Sequence, residues 1–150
     1  MIHTISLFPE IEPQLLDFFG RVNVPEVTQY FTPHPFTAEQ ANYLCHRQGK
    51  DQYFVTIFED RIIAYGILAG WEAGLPNPEL NICVDPIFQE KRIGEALAHH
   101  LIAIAGLLGA EAVTMTIHPE NERAVKLCKS LGVTVAPGDD GEELKGSLKL

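Results

Sequence analysis

Positive charge is scarce in this chain. Eleven Lys and Arg stand against 20 Asp and Glu, a net charge of -9 with histidine neutral. Coating a nucleic acid or an anionic membrane needs a basic face, so neither is expected as a partner. The balance is weakly compatible with a neutral or basic small substrate, because global charge steers encounters. Long apolar runs are missing as well: none approaches the roughly 20 residues of a membrane span. The stretch MIHTISLFPE has no basic segment before an apolar one, so no signal peptide is expected and the cytoplasm is the default location. Cysteine is sparse. Cys45, Cys83 and Cys128 are too few and too scattered for a disulfide framework or a zinc site, and reduced thiols fit the cytoplasm.

Two common phosphate signatures are absent too. There is no GxxxxGK[ST] and no GxGxxG after the first strand. Internal repeats and low-complexity linkers are also lacking. What remains is 150 residues, 46% hydrophobic and 21% charged, which predicts a single domain over 1–150 with one core.

The patterning gives an order of elements. Ile2 to Leu7 reads as a strand and Ile11 to Phe19 as a helix; Val22 to Pro35, rich in Pro and aromatics, reads as loop. Thr37-Ala-Glu-Gln40 fits a capping box that opens a helix to about His46. Gln52–Glu59 and Arg61–Trp71 are rich in β-branched and aromatic residues and read as a hairpin turning at Glu59-Asp60. Strands are expected at Leu80–Asp85 and Ala112–Ile117. Between them lies a helix, Ile93–Leu108, with Ile93, Ala96, Leu97, Leu101, Ile104, Ala105 and Leu108 on one face, ending at Gly109. A helix over Glu122–Leu131 ends at Gly132, and two weak strands, near Val133–Ala136 and Leu144–Leu150, follow. The crossover makes Leu80–Asp85 and Ala112–Ile117 parallel, while the hairpin is antiparallel, so the fold class is α/β (α+β) with a mixed sheet.

The residues between Pro86 and Gly94 carry the chemistry. They turn a strand's carboxyl end into a helix N-terminus, whose first amides lack intrahelical partners and carry the positive end of the helix dipole. Such a turn is a concave anion site. Gly94 lets backbone approach a ligand, and Lys91 and Arg92 add positive charge in an acidic protein. A phosphate or pyrophosphate fits these features; so does a plain loop with a solvated charge cluster.

Val84 through Leu97, V-x-P-x-x-Q-x-x-R-x-G-x-A-L, resembles the acyl-CoA-binding motif of the GNAT N-acetyltransferases, centred on Gln89-Glu90-Lys91-Arg92-Ile93-Gly94. Asn121-Glu-Arg-Ala124-Val-Lys-Leu127-Cys128-Lys-Ser-Leu131-Gly132-Val133 is similar to that family's N-x-x-A-x-x-L-Y-x-x-x-G-F. Three positions depart from the pattern: Arg92 stands where a glycine is usual, Cys128 where a tyrosine is, and Val133 where a phenylalanine is.

The resemblance implies a mostly antiparallel sheet of six to seven strands with a central splayed parallel pair and helices on both faces. It implies acetyl-CoA as cosubstrate, with its pyrophosphate on the amides of Gln89, Glu90, Lys91, Arg92, Ile93 and Gly94. The pantetheine would run along Ile82, Cys83 and Val84, with Asn121 touching it or simply capping its helix. A strand amide would polarise the thioester, and the amine would attack directly.

Cys128 stands where the family places a general acid; it either donates that proton or fills the apolar face of its helix. Glu79, at the start of the strand, and His34, held extended before Pro35, are the candidate bases, each with a structural alternative. His99-His100 point apart on a helix, and no metal is assigned. Phe31–Thr37 with Gly70-Trp71-Glu72 resembles a GNAT subset associated with bacterial surface polysaccharides. That implies an amino-sugar acceptor, stacked on Tyr30 or Trp71; a protein N-terminus and a polyamine stay open. A catalytically degenerate acyl-CoA-binding module is the rival reading. A homodimer is expected if the C-terminal strands leave a sheet edge to cover.

Overall fold

The computed structural model describes residues 1–150. Seven strands form one sheet in the order β1-β2-β3-β4-β5-β7-β6. They are β1 (Ile2–Ser6), β2 (Gln52–Phe58), β3 (Arg61–Ala69), β4 (Glu79–Val84), β5 (Ala112–Ile117), β6 (Thr134–Pro137) and β7 (Leu144–Lys149). Every neighbouring pair is antiparallel except β4 and β5. The β2–β3 turn is made by Glu59 and Asp60 at φ +49° and +64°, the left-handed pair that a tight hairpin needs. The free edges are β1 and β6. Of these, β6 is four residues long and ends in Pro137, and both features discourage further pairing.

Five helices cover the sheet: α1 (Glu12–Val22), α2 (Pro25–Thr28), α3 (Ala38–His46), α4 (Ile93–Leu107) and α5 (Glu122–Leu131). On one face, α1 and α3 pack Leu15, Phe18, Phe19, Val22, Ala41 and Leu44 onto Val55, Tyr65 and Ile67. On the other, α4 and α5 pack Leu97, Leu101, Ala105 and Leu131 onto Ala64, Leu68, Leu80 and Val113. β3 therefore lies between two apolar layers, which is why Ile62–Leu68 reads as a nearly unbroken apolar run. Gly66 sits beneath α4: a Cβ there would lie 2.5 Å from Leu101 Cδ1, so the missing side chain sets how close that helix comes.

The reading of Val22–Pro35 as loop is corrected. α1 runs to Val22, and the single-turn α2 follows with Pro25 at its first position. Four residues show no period to read. The turn is held instead by tertiary burial of Val27. The Thr37 hydroxyl accepts the Gln40 amide at 3.1 Å, but no return bond from the Gln40 side chain forms, so half of the capping box is present. On α4 the buried stripe is Leu97, Ala98, Leu101 and Ala105, with Leu108 exposed, a face rotated from the expected one. No helix is long and apolar enough to cross a membrane.

Candidate active site

The two edges of β4 differ. Toward β3 it pairs without a gap from Glu79 to Val84; toward β5 a single position pairs, Glu79 with Thr114. In an antiparallel ladder one residue's amide and carbonyl face the same neighbour, and the next residue's face away. Asp85 donates its amide to the Ile63 carbonyl on the β3 side at 2.9 Å. By alternation, Asn81 and Cys83 face β3, while the polar groups of Ile82 and Val84 face the gap where β5 has diverged. The Gln89 side chain closes back onto this edge, donating Nε2 to the Val84 carbonyl at 3.3 Å.

The corner after β4 is built in steps. Asp85 is 3% exposed, and its carboxylate accepts the Ile87 amide at 3.1 Å, capping a 3-10 turn over Pro86–Phe88. Gln89 is extended, and Glu90 and Arg92 are left-handed at φ +67° and +61°. Such alternation turns successive amides toward one point, an anion-binding concavity. None of the amides from Glu90 through Glu95 donates to a protein acceptor, and the first bond of α4 runs from Ala96 to the Arg92 carbonyl at 3.0 Å. Glu90, Lys91 and Arg92 are exposed.

Gly94 has a packing part beside the one expected of it. A Cβ on it would lie 3.3 Å from Val84 Cγ2 and 3.7 Å from Ile82 Cγ2, so the missing side chain first lets α4 close onto β4. It lines the cavity too.

That cavity holds about 480 Å³ between β4, β5, the cradle loop and α5. Ile82, Cys83, Val84, Gln89, Glu90, Arg92, Ile93, Gly94, Asn121 and Cys128 all line it; Lys91, Glu79 and His34 do not. Asn121 accepts the Ala124 amide at 3.3 Å, so it caps α5 while facing the cavity. Arg92, Arg123 and Lys126 bring positive charge to the lining and Glu90 and Glu95 negative charge, and Glu26, Tyr30, Phe31 and Asn81 line the cavity as well. Of these last four, Tyr30 is the stacking ring expected above; Glu26 was missed because the single turn that carries it, α2, shows no period. Tyr30 reaches across the cleft, its ring 5.3 Å from that of His118 and its hydroxyl 3.4 Å from the Glu120 carbonyl. Trp71 lies elsewhere, with Lys50 Nζ 5.5 Å from its ring centre.

The titratable candidates separate by environment. Cys128 is 1% exposed, its thiol directed at Met115 Sδ at 3.5 Å, and burial raises its pKa. Burial, with the Asp85 charge behind it, pushes the Cys83 thiol up to about 12. Both stay protonated near neutrality. His34 is held within Phe19, Phe31, Phe36 and Tyr65. Its Nδ1 donates to the Pro35 carbonyl and its Nε2 accepts the Tyr65 hydroxyl, both at 2.8 Å. Neither nitrogen is free for a substrate proton, and burial lowers the pKa. Glu79 sits at the closed end of the β4–β5 cleft, where the strands still pair. His99 leans toward Glu95 and His100 packs on Phe54, and no group of three or more metal-ligating side chains is gathered anywhere.

A model of the acetyltransferase (GNAT) family matches residues 17–133. No curated protein sequence matches the chain. Among solved structures, the GNAT domain of S. lividans PAT is similar at TM-score 0.86 and 18% identity, over 99% of this chain and 90% of that one. A PaiA N-acetyltransferase from Thermoplasma acidophilum, solved with coenzyme A, is similar at TM-score 0.81 and 15% identity, over 100% and 99%. A ribosomal-protein-S5-alanine acetyltransferase from Vibrio fischeri is similar at TM-score 0.80 and 16% identity, over 99% and 92%. At these identities the likeness is one of fold.

Proposed function

The chain belongs to the acetyltransferase (GNAT) family, and we propose that it transfers acetyl from acetyl-CoA to the primary amine of a small molecule. One observation carries the reading: a row of amides without protein acceptors, Glu90–Glu95, at the mouth of a cleft opened between β4 and β5. The amides and the Arg92, Arg123 and Lys126 charges suit phosphates, and the outward polar groups of Ile82 and Val84 suit the amide-rich pantetheine arm. The coenzyme A complex of the Thermoplasma neighbour supports this assignment.

Acetyl-CoA supplies the activated acetyl group. The protein's part is to bind, polarise and exclude. An amide of Ile82 or Val84 donates to the thioester carbonyl and gains strength as that oxygen becomes anionic. The acceptor sits beside Glu26, Tyr30 and Asn81, where Glu26 attracts the ammonium form; the neutral amine, formed when that ammonium loses its proton to solvent, attacks, and Glu26 takes the proton the nitrogen sheds as the C–N bond forms, directly or through water. Asn81 orients the amine. A thiol of ordinary pKa, about 8.5, leaves as thiolate near neutral pH without a strong acid. Cys128 is therefore assigned to packing, with water protonating the thiolate. His34 and Glu79 hold the frame rather than the substrate. An amino sugar, stacked on Tyr30, is the acceptor class we favour. The ribosomal-protein acetyltransferase among the neighbours keeps a peptide N-terminus in the test panel.

The experiment is calorimetric binding of coenzyme A followed by thiol release with amino sugars, polyamines and peptides. We expect binding, and release with a small amine. Glu26→Gln should lower kcat/KM about 100-fold, and Cys128→Ala should leave kcat within about two-fold while costing about 1 kcal/mol of stability. Binding without release for any amine would make the chain an acyl-CoA-binding module instead.

A further inference from the structure

Arg21 on α1 forms an ion pair with Asp85 at the end of β4. It is anchored from three sides. Nη2 donates to the Ile62 carbonyl at 2.7 Å, Nε to Asp17 at 3.1 Å, and the Phe18 ring centre lies 5.6 Å from the guanidinium carbon. Asp85 in turn holds the corner before the cradle. Its second carboxylate oxygen accepts the Ile87 amide, its carbonyl accepts the Phe88 amide at 2.8 Å, and the Gln89 amide and side chain follow onto Pro86 and Val84. Neither Arg21 nor Asp85 lines the cavity.

We propose that Arg21 is a positioning residue for the phosphates of acyl-CoA, acting through Asp85 from the opposite face of the sheet. It rests on the acetyl-CoA reading above. Two effects combine. The pair fixes the direction in which the Glu90–Glu95 amides are presented. It also neutralises a buried carboxylate that lies just upstream of the anion site. Without Arg21, Asp85 is an uncompensated buried charge, which either turns outward and releases the Ile87 cap or stays and repels the ligand's phosphates.

The test compares two thioesters, acetyl-CoA and S-acetylpantetheine, which ends before the pyrophosphate. Arg21→Met should raise KM for acetyl-CoA, and the calorimetric Kd for coenzyme A, about 10-fold. The kcat and the KM for S-acetylpantetheine should stay within about two-fold of the parent. Adding Asp85→Asn should recover part of the loss, because the buried charge goes while an oxygen remains to cap Ile87. Arg21→Lys keeps the charge but loses the forked contact to Ile62, and should raise KM for acetyl-CoA about three-fold. If Arg21→Met does not fold, Arg21→Lys carries the same comparison. Equal losses with both thioesters, or an unchanged Kd for coenzyme A, overturn the inference and leave the pair purely structural. If the parent itself does not bind coenzyme A, the functional reading falls first, and this inference with it.

Discussion

β4 meets β3 and β5 in opposite ways. On the β3 side Asn81 and Cys83 are committed to a continuous ladder, and the strand is fixed by it. On the β5 side the ladder stops after Glu79 and Thr114, and the next polar groups face a cavity. The two left-handed pairs show the same contrast. Glu59 and Asp60 adopt positive φ to close a hairpin whose strands pair at once on either side. Glu90 and Arg92 adopt it in a loop whose amides reach no protein acceptor. Strain on the first is offset within the fold; strain on the second becomes useful only when an anion arrives. An unmade ladder and an unrepaid turn, side by side, mark the site more clearly than any single side chain does.

The largest expected effect comes from forcing the open edge. Gly94→Val places two methyl groups against Val84 and Ile82, and should cost about 1–3 kcal/mol of stability. By moving α4 and its amides, it should weaken coenzyme A binding about 100-fold, about 2.7 kcal/mol. Denaturation and calorimetry read the two costs. Gly66→Ala is the comparison on the closed side: about 1–3 kcal/mol of stability against Leu101, with a much smaller loss of coenzyme A affinity, no more than about three-fold, because Leu101 lies two turns along α4 from the cradle amides. A selective loss of binding in Gly66→Ala would erase the contrast between the two edges.

Arg92→Gly should stabilise the protein by up to about 1 kcal/mol by removing a side chain from a left-handed position, and should leave coenzyme A affinity within about three-fold. A larger loss would mean that the guanidinium itself binds phosphate. Lys91→Ala, exposed and outside the cavity wall, should cost at most about 1 kcal/mol of binding, and less at high salt. The smallest effect is a slope. His34 has its pKa lowered in the fold, so below about pH 6.5 the unfolded chain takes up a proton that the folded chain refuses, and stability declines as pH falls. Above that pH its contribution is flat. His34→Gln should flatten the slope, read from denaturation midpoints across pH 5 to 8.

Much of this was legible in the sequence, for physical reasons. Runs of β-branched and aromatic residues, turn residues and helical periodicity located the seven strands and the longer helices: β3 is buried on both faces and reads as an apolar run, while α1 and α4 each bury one stripe. Gln89–Gly94 and Asn121 were legible as a strand-to-helix turn and a helix cap, features that leave a fixed spacing. The cavity lining near α2 was legible only in part. Tyr30 and Phe31 were read from their local sequence, but Glu26 lies on a single helical turn held by Val27, too short to show a period. Gly94's contact with Val84, and the Arg21–Asp85 pair, arise from tertiary approach across layers and leave no local trace. His34 read as a displayed loop residue because Pro35 holds it extended; only the packed aromatics around it decide that both its nitrogens are used.

The central claim is that the amides of Ile82, Val84 and Glu90–Glu95 wait for a ligand while those of Asn81 and Cys83 do not. Amide hydrogen exchange, read residue by residue by NMR with and without coenzyme A, tests it directly. The account predicts fast exchange at Ile82, Val84 and Glu90–Glu95 in the free protein and marked slowing with coenzyme A, while Asn81 and Cys83 are slow throughout. Protection of Ile82 and Val84 without ligand, or no slowing from Glu90 to Glu95 when coenzyme A is bound, would contradict it.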